Sequence, residues 1–324
     1  TRNAGFACFG SLSEVVDDIR TMGLDQTLAL VELRYKGLKK IEKHFGAKII
    51  DLDWCGGYEL FQANNVVNKT DLQTNIDYLN SLLKSITGNK KTYALDDAKV
   101  KKFGFGQTDH LVENKEEGYL HSGKLVQALL QKVQSMGVQV LNGIEIKSFD
   151  HAPNSIEVKT NIAYPFTTNQ LLICTNAVAQ DLLPTPLITP ARGQVLLTSP
   201  IKNLPWKGTF HYDEGFYYFR NLGARVLLGG ARNKAFDEER TTSLETSDTI
   251  QKELERFLRE VILPNEKEEY SIDMRWSGIM GMGPQKMPVV DEIAPHVFCA
   301  LGTGGMGVAI SPELGQMAAN MMRP

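Results

Sequence analysis

The chain has 324 residues, of which 42% are hydrophobic and 23% are charged, and its formal net charge is -3. This composition is typical of a soluble globular protein with one large domain or two ordinary ones, and the lack of a basic excess argues against a nucleic-acid partner. No apolar run is long enough to cross a bilayer, so we expect a cytoplasmic protein with no transmembrane segment. The four cysteines and six histidines show no metal-ligand spacing and predict no metal site.

The first third of the chain predicts a small α+β unit. Apolar residues recur at helical spacing over 11–45, which indicates two helices or one long broken helix. Residues 47–54 and 56–62 are typical of strands, and 70–87 returns to the helical period.

The middle of the chain has the clearest local pattern. One helix face is formed by Leu125, Leu129, Leu130 and Val133, and Gly137 is placed as the residue that ends the helix. Residues 138–141 follow as a predicted short, buried, parallel strand. The apolar runs over 155–160 and 171–177 then predict strands of a nucleotide-binding core.

From Arg192 onward, short alternating segments separated by Gly, Pro and Asn indicate a second, antiparallel sheet, followed by a polar helix over 246–261. The segment FYYFR is the aromatic part of this sheet. Since side chains alternate along a strand, Phe216, Tyr218 and Arg220 are predicted on one face and Tyr217 and Phe219 on the other.

Near the end of the chain, Gly302, Gly304 and Gly307 spell G-x-G-x-x-G between an apolar run and a helical pattern. A helix that starts at such a turn presents free N–H groups and the positive end of its dipole. A dinucleotide fingerprint also needs an acidic residue about 20 positions on, and only seventeen residues follow Gly307. The spacing alone leaves open a structural turn or a contact with an electron-rich ligand group.

Seven segments, in this order, resemble the FAD-dependent oxidoreductases of the glycine oxidase, D-amino acid oxidase and sarcosine oxidase family, and within it the gamma-glutamylputrescine oxidase type. They are NAG, YLHSGKLVQAL, ICTNAVAQDLLP, PARGQVLLTSP, FYYFRNLGARVLLGGARN, RWSGIMGMGPQKMPVVDEI and FCALGTGGMGVAISPELG. The resemblance covers essentially the whole chain, and it is the order of the motifs that makes it specific.

The resemblance implies an α/β and α+β fold, with an FAD-binding Rossmann-like domain and an antiparallel-sheet substrate domain. The FAD-binding domain would comprise 1–55, 112–188 and 268–324, and the substrate domain 56–111 and 189–267. The family's N-terminal strand, G-x-G-x-x-G turn and helix have no counterpart in this sequence, so we expect an N-terminally truncated FAD-binding domain. A cofactor-free fragment or a binding module without redox activity is the alternative that this departure leaves open.

The resemblance also implies FAD as the cofactor. Sarcosine oxidases attach it through a cysteine in the segment that corresponds to 276–291, and no cysteine occurs there, so the FAD is expected to be non-covalent. The glycine loop would lie under the flavin ring. The positions that match cofactor contacts are Arg2, Asn3, Ala4, Gly5, Ile146, Thr175, Asn176, Ala177, Gly304, Gly305, Met306, Gly307 and Val308.

The implied reaction is oxidation of the C–N bond of an amine or amino acid by hydride transfer to flavin N5, with oxygen as electron acceptor or, in a dehydrogenase, a quinone. Tyr217 and Tyr218 are the candidates for a catalytic tyrosine, with a slight preference for Tyr217, and Arg220, His211 and Met280 are the candidate substrate contacts.

Met280 is the most informative of these candidates, because the family's amino acid oxidases have an arginine at this position that grips the substrate carboxylate. Methionine cannot pair with a carboxylate, which favours an amine substrate unless Arg275 or Arg220 takes over the role. Arg220 is open to a second interpretation, as one partner of a surface salt bridge.

Overall fold

The computed structural model describes residues 1–62, 69–153, 155–162, 164–183, 187–265, 270–283 and 286–323. The α-helices within these ranges are α1 (Leu12–Met22), α2 (Leu24–Phe45), α3 (Lys69–Thr87), α4 (Asp97–Phe103), α5 (Ser122–Ser135), α6 (Asp248–Phe257) and α7 (Gly307–Met321). The predicted break in the first helical region is confirmed. It falls at Gly23, whose φ of 87° is readily adopted only by glycine.

The strands form one large sheet and three small ones. They are β1 (Phe6–Ala7), β2 (Gly57–Phe61), β3 (Tyr93–Leu95), β4 (His110–Asn114), β5 (Gly118–Tyr119), β6 (Ile146–Ala152), β7 (Ser155–Thr160), β8 (Phe166–Thr168), β9 (Leu171–Ile173), β10 (Thr189–Thr198), β11 (Thr209–Tyr212), β12 (Tyr217–Leu222), β13 (Arg225–Gly230), β14 (Ile272–Met282), β15 (Val289–Ala294) and β16 (Val297–Leu301). The large sheet has the order β14-β10-β13-β12-β11-β2-β4-β3, and the small sheets are β15-β16-β9, β6-β7-β8 and β1-β5.

The two faces of the large sheet differ in chemistry. One face carries a hydrophobic core in which Phe210, Phe219 and Tyr217 pack against Phe257 of α6. The opposite face carries Tyr218 and Arg220, so the predicted alternation is confirmed over 217–220. The predicted position of Phe216 is wrong, because this residue precedes β12 and packs against the hydrophobic core.

Residues 2–10 cross the second face from one edge of the sheet to the other. The Trp276 indole on β14 donates to the Arg2 carbonyl at 3.0 Å, and Arg220 on β12 donates to the Ala4 carbonyl at 2.7 Å. At the far edge, the Tyr93 hydroxyl on β3 donates to the Gly10 carbonyl at 2.6 Å. The large sheet therefore acts as a platform for this segment.

Two predicted strands are wrong. Residues 138–141 lie outside the strands of the described structure and are largely exposed, with Val138 at 52% and Leu141 at 59%. A strand needs a pairing partner, and no strand of the ranges given above pairs with this segment. Residues 47–51 form turns, and only Asp53 makes an isolated bridge, to Tyr119.

The predicted domain boundaries agree only in part with the observed sheets. β14 falls within the predicted cofactor portion 268–324, yet it forms the edge of the large sheet and pairs with β10 over its length. The predicted boundary between 267 and 268, and the terminal residue 324, lie outside the described residues.

Candidate active site

The glycine loop connects β16 to α7. Gly302 and Gly304 have φ values of 80° and 53°, which turn the chain sharply before α7 begins at Gly307. The Asn176 side chain clamps the loop, because its Oδ1 accepts the Gly302 N–H at 3.0 Å and its Nδ2 donates to Thr303 Oγ1 at 3.2 Å. The structure thus brings two predicted cofactor segments together.

One face of this loop is open. A Cβ built on Gly304 would meet no atom of the described chain within 4 Å, and one on Gly305 would meet only the Met280 sulfur, at 3.8 Å. Gly304–Met306 form a 3-10 turn, in which the Met306 N–H donates to the Thr303 carbonyl at 3.3 Å, and α7 follows it directly. The N–H groups at the start of such a helical segment are the ones without an intrahelical acceptor. The loop therefore offers hydrogen-bond donors and a positive dipole end beside free space, which suits a flat group that gains negative charge.

A wall of Tyr218, Met280 and Phe6 faces this loop. A Cβ built on Gly193 would lie 3.7 Å from the Tyr218 hydroxyl oxygen and 3.3 Å from Met280 Cε, so these two side chains converge on one point. Phe6 meets the Tyr218 ring edge-on at 5.6 Å. Burial raises the pKa of Tyr218 to about 12, which keeps its hydroxyl neutral at ordinary pH.

The structure reverses the predicted preference for Tyr217. Its side chain lies on the other face of β12, where the hydroxyl donates to Glu253 at 2.6 Å and the ring stacks on Phe257 at 4.6 Å. The residue is 2% exposed. Tyr217 is therefore a core residue, and Tyr218 is the tyrosine beside Met280.

The two arginines that could have replaced the missing carboxylate ligand are both occupied. Arg220 is 5% exposed and donates to the carbonyls of Ala4 and Asn221, so it is not a surface salt-bridge residue. Arg275 donates to Gln251 and Glu255. Arg220 instead supports the segment that crosses the sheet.

The other predicted cofactor positions are placed as follows. Arg2 is exposed, and its guanidinium donates to the Ser277 carbonyl at 2.9 Å, while the Asn3 side chain accepts the Gly5 N–H at 2.7 Å. Gly5 has a φ of 80°, and a Cβ there would lie 2.3 Å from the Leu120 oxygen, so only glycine fits. Ile146 begins β6 and packs on the same hydrophobic cluster as the ends of β9 and β16.

Behind the wall lies a group of buried acids that sequence reasoning missed. Glu117 Oε1 accepts the N–H groups of Phe9 at 2.9 Å and Gly10 at 3.2 Å. Glu59 accepts the Ser13 N–H at 3.0 Å and the hydroxyls of Ser11 and Ser13. Desolvation raises the pKa of Glu117 to about 8 and that of Glu59 to about 7.

His211 joins these acids to the wall. It pairs with Tyr218 on β12 and with Glu59 on β2, and its ring meets Phe6 at 5.4 Å. Burial lowers the pKa of His211 to about 4, so its imidazole is neutral. An acidic residue in an otherwise apolar strand such as GYELF is the sequence signal that could have pointed to this group.

Two kinds of feature are absent from the described ranges. No helix there is long and apolar enough to cross a membrane. Within the same ranges, no group of three or more His, Cys, Asp and Glu side chains could hold a metal ion.

Comparison with known proteins gives a consistent result. A model of the family described as FAD dependent oxidoreductase (DAO) matches residues 1–321. The probable oxidoreductase OrdL of Haemophilus influenzae is 21% identical over 98% of this chain and 73% of its own. The bifunctional protein ThiO/ThiG of Nostoc sp. is 22% identical over 72% of this chain, a match that spans only 36% of that protein. The crystal structure of iminodiacetate oxidase from Chelativorans sp. BNC1 superposes with a TM-score of 0.73 at 15% identity, covering 100% of this chain and 86% of that one.

Proposed function

Because the chain belongs to the FAD-dependent oxidoreductase family, we propose that it oxidises the C–N bond of an amine or amino acid with non-covalently bound FAD. The observation that carries the proposal is the open glycine loop opposite Tyr218 and Met280. FAD, when bound, supplies the acceptor for the hydride that leaves the carbon next to nitrogen.

The residues present fit this cofactor. The N–H groups at the start of α7 would face the flavin edge that gains negative charge, and Asn176 fixes the loop that carries them. The segment from Arg2 to Gly5 would run beside the cofactor, held by Arg220 and Trp276. No cysteine lies in 276–291, which supports non-covalent binding.

The substrate that the wall favours is an amine without a carboxylate on the reacting carbon. Met280 offers a carboxylate no partner, and Arg220 and Arg275 are engaged elsewhere. Phe6, Tyr218 and Met280 instead form an apolar surface that would exclude water and favour a neutral amine, the form whose nitrogen lone pair can assist loss of the hydride. Arg2 keeps donors beyond its one bond to Ser277 and is the alternative carboxylate ligand.

The test is anaerobic mixing of the flavin-loaded protein with a panel of primary and secondary amines and with the same compounds carrying an α-carboxylate. We expect the amines to bleach the flavin band and the acids to do so much more slowly. A Met280→Arg variant should shift the preference toward the acids, and Met280→Leu is the matched control that should not. Faster reduction by the acids in the unmodified protein, lost in Arg2→Ala, would overturn the assignment of an amine substrate.

The electron acceptor is proposed to be oxygen or a quinone. Reoxidation of the bleached protein by air, compared with reoxidation by a soluble quinone under argon, separates an oxidase from a dehydrogenase. If no compound of the panel bleaches the flavin, the proposed function fails.

A further inference from the structure

His211 and Glu117 are close neighbours that do not hydrogen-bond to each other. The His211 Nε2 atom is buried and has no hydrogen-bond partner in the described structure, and it lies 4.0 Å from Glu117 Oε2. Glu117 Oε1 is fully used by two backbone N–H groups. A buried polar atom without a partner is costly, so an arrangement that places one next to a buried carboxylate needs an explanation.

His211 is also the polar link between Glu117 and the wall. Its side chain keeps 7% of its surface accessible, while that of Glu117 keeps 1%. The imidazole lies 4.0 Å from the Glu117 carboxylate and meets the ring of the wall residue Phe6 at 5.4 Å. His211 therefore contacts both Glu117 and a residue of the wall.

The surroundings of Glu117 favour uptake of a proton. The carboxylates of Glu14 and Glu59 lie near Glu117 and raise its pKa. Arg34, which pairs with Glu14, is the arginine that acts on the same cluster, so the acids outnumber it. The titratable groups that face the pair from the packed elements are Cys8 before α1, Glu14 on α1, Arg34 on α2, Glu59 on β2, Tyr93 on β3 and Tyr218 on β12. Burial raises the pKa values of Cys8 and Tyr93, which stay neutral and leave the acids as the groups that change charge.

We propose that His211 and Glu117 carry away the proton that a substrate ammonium group must lose before its C–H bond is oxidised, with His211 as carrier and Glu117 as terminal acceptor. This inference rests on the proposed function, since it requires an amine substrate. Glu117 acts through His211 and is therefore a positioning residue.

The step balances without a further reactant. The N–H bond of the ammonium breaks, its electron pair stays on nitrogen, and the proton binds one ring nitrogen of His211. The other ring nitrogen, Nε2, passes its proton to Glu117 Oε2. The ammonium and the carboxylate become a neutral amine and a neutral carboxyl group, and nothing is oxidised or reduced in this step.

The first experiment is the pH dependence of kcat/KM for a simple alkylamine, whose ammonium pKa is about 10.4 by analogy with lysine. The unmodified enzyme should show a rising limb near the pKa of Glu117, about 8, because the carboxylate form is the acceptor. In Glu117→Gln this limb should disappear, and kcat/KM should rise only as the free amine itself loses its proton. The rising limb of the variant should therefore move up by about two pH units, from about 8 to about 10.4.

Glu59→Gln is the matched control. It removes a second buried acid of the same cluster, whose oxygens accept hydrogen bonds from Ser11 and Ser13, whereas the oxygen 4.0 Å from His211 Nε2 belongs to Glu117. Since the charge of Glu59 raises the pKa of Glu117, the limb should move to lower pH in this variant and persist. His211→Gln removes the proton carrier and should therefore abolish the rising limb of kcat/KM near pH 8, as Glu117→Gln does.

An infrared readout keeps the inference testable if a variant loses activity for structural reasons. The carbonyl stretch of a protonated carboxyl group, followed from pH 6 to 10 without substrate, should contain a component that titrates near pH 8 and is absent from Glu117→Gln. His211→Gln should keep this component while losing the kinetic limb. The inference is overturned, and the proposed function is not, if a kinetic limb near pH 8 survives in Glu117→Gln or if the wild-type spectrum lacks that component. If no amine reduces the flavin, the proposed function is overturned as well.

Discussion

Glu59→Gln should change the pH dependence of stability in a direction that the structure fixes. The carboxyl group is 3% exposed, and desolvation raises its pKa from 4.5 to about 7 despite three hydrogen bonds. The folded protein therefore binds this proton more tightly than the unfolded chain does. The resulting stabilisation is fully present below about pH 4.5 and is lost as the pH rises through about 7.

The size of the effect follows from the shift. A pKa raised from 4.5 to about 7 corresponds to about 3 kcal/mol of unfolding free energy lost between pH 4.5 and pH 8. The glutamine variant has no proton to lose, so its stability relative to wild type should improve by about 2.5 kcal/mol between pH 5 and pH 8. His211 changes the stability in the opposite direction, because its pKa is lowered and its stabilisation is lost as the pH falls from about 6.5 to 4. Since both proteins contain His211, its effect cancels in the comparison.

The assay is urea unfolding of both proteins at pH 5 and pH 8 with matched flavin content. The substitution also has a pH-independent effect on the unfolding free energy, because an amide replaces a carboxyl group. Comparing the two pH values cancels this effect. Glu32→Gln is the control, because Glu32 forms an exposed pair with Lys36 and should cost less than about 1 kcal/mol at both pH values. If Glu59→Gln is equally destabilising at pH 5 and pH 8, the buried carboxyl group is not protonated in the folded state and the reasoning is refuted.

Three further predictions concern the site. Asn176→Ala should remove the clamp on the glycine loop, weaken FAD binding by about tenfold and lower stability by about 1–2 kcal/mol, as flavin release and urea unfolding would show; wild-type affinity in this variant would contradict the clamp. Gly5→Ala should lose FAD binding and at least about 2 kcal/mol of stability, because its φ is 80° and its Cβ would strike a carbonyl oxygen. Tyr217→Phe should cost about 1 kcal/mol of stability and leave amine oxidation intact, whereas Tyr218→Phe should change kcat/KM more than stability; the reverse pattern would restore Tyr217 to the site.

Local sequence patterns predicted those parts of the fold that local physics determines. The alternation along β12 assigns Tyr218 and Arg220 to one face because successive side chains in any strand point to opposite sides. The strand predicted at 138–141 failed because a strand also needs a neighbour, which a local apolar pattern cannot supply. The preference between Tyr217 and Tyr218 failed for a related reason, since it depends on which face of the sheet α6 covers.

The candidate site depended on longer-range information. His211 lies beside Glu59 through the parallel pairing of β11 with β2, which are about 150 residues apart in the chain, and no periodicity encodes such a register. Glu117 reaches the same place from the turn before β5. Resemblance to a family identified the glycine loop because its motif is contiguous, but it could not identify a cluster assembled from isolated acids on separate elements.

Three buried polar residues around the segment that crosses the sheet share one structural role. Arg220 holds the Ala4 carbonyl, Glu117 holds two backbone N–H groups, and Glu59 holds the start of α1. Each one satisfies backbone groups of residues 4–13, and these bonds offset the cost of burying the polar group. The His211 Nε2 atom satisfies nothing in the described structure and supports no backbone. An apolar residue could fill its place with less cost, and it is this difference from its neighbours that argues for a chemical role of His211 rather than a structural one.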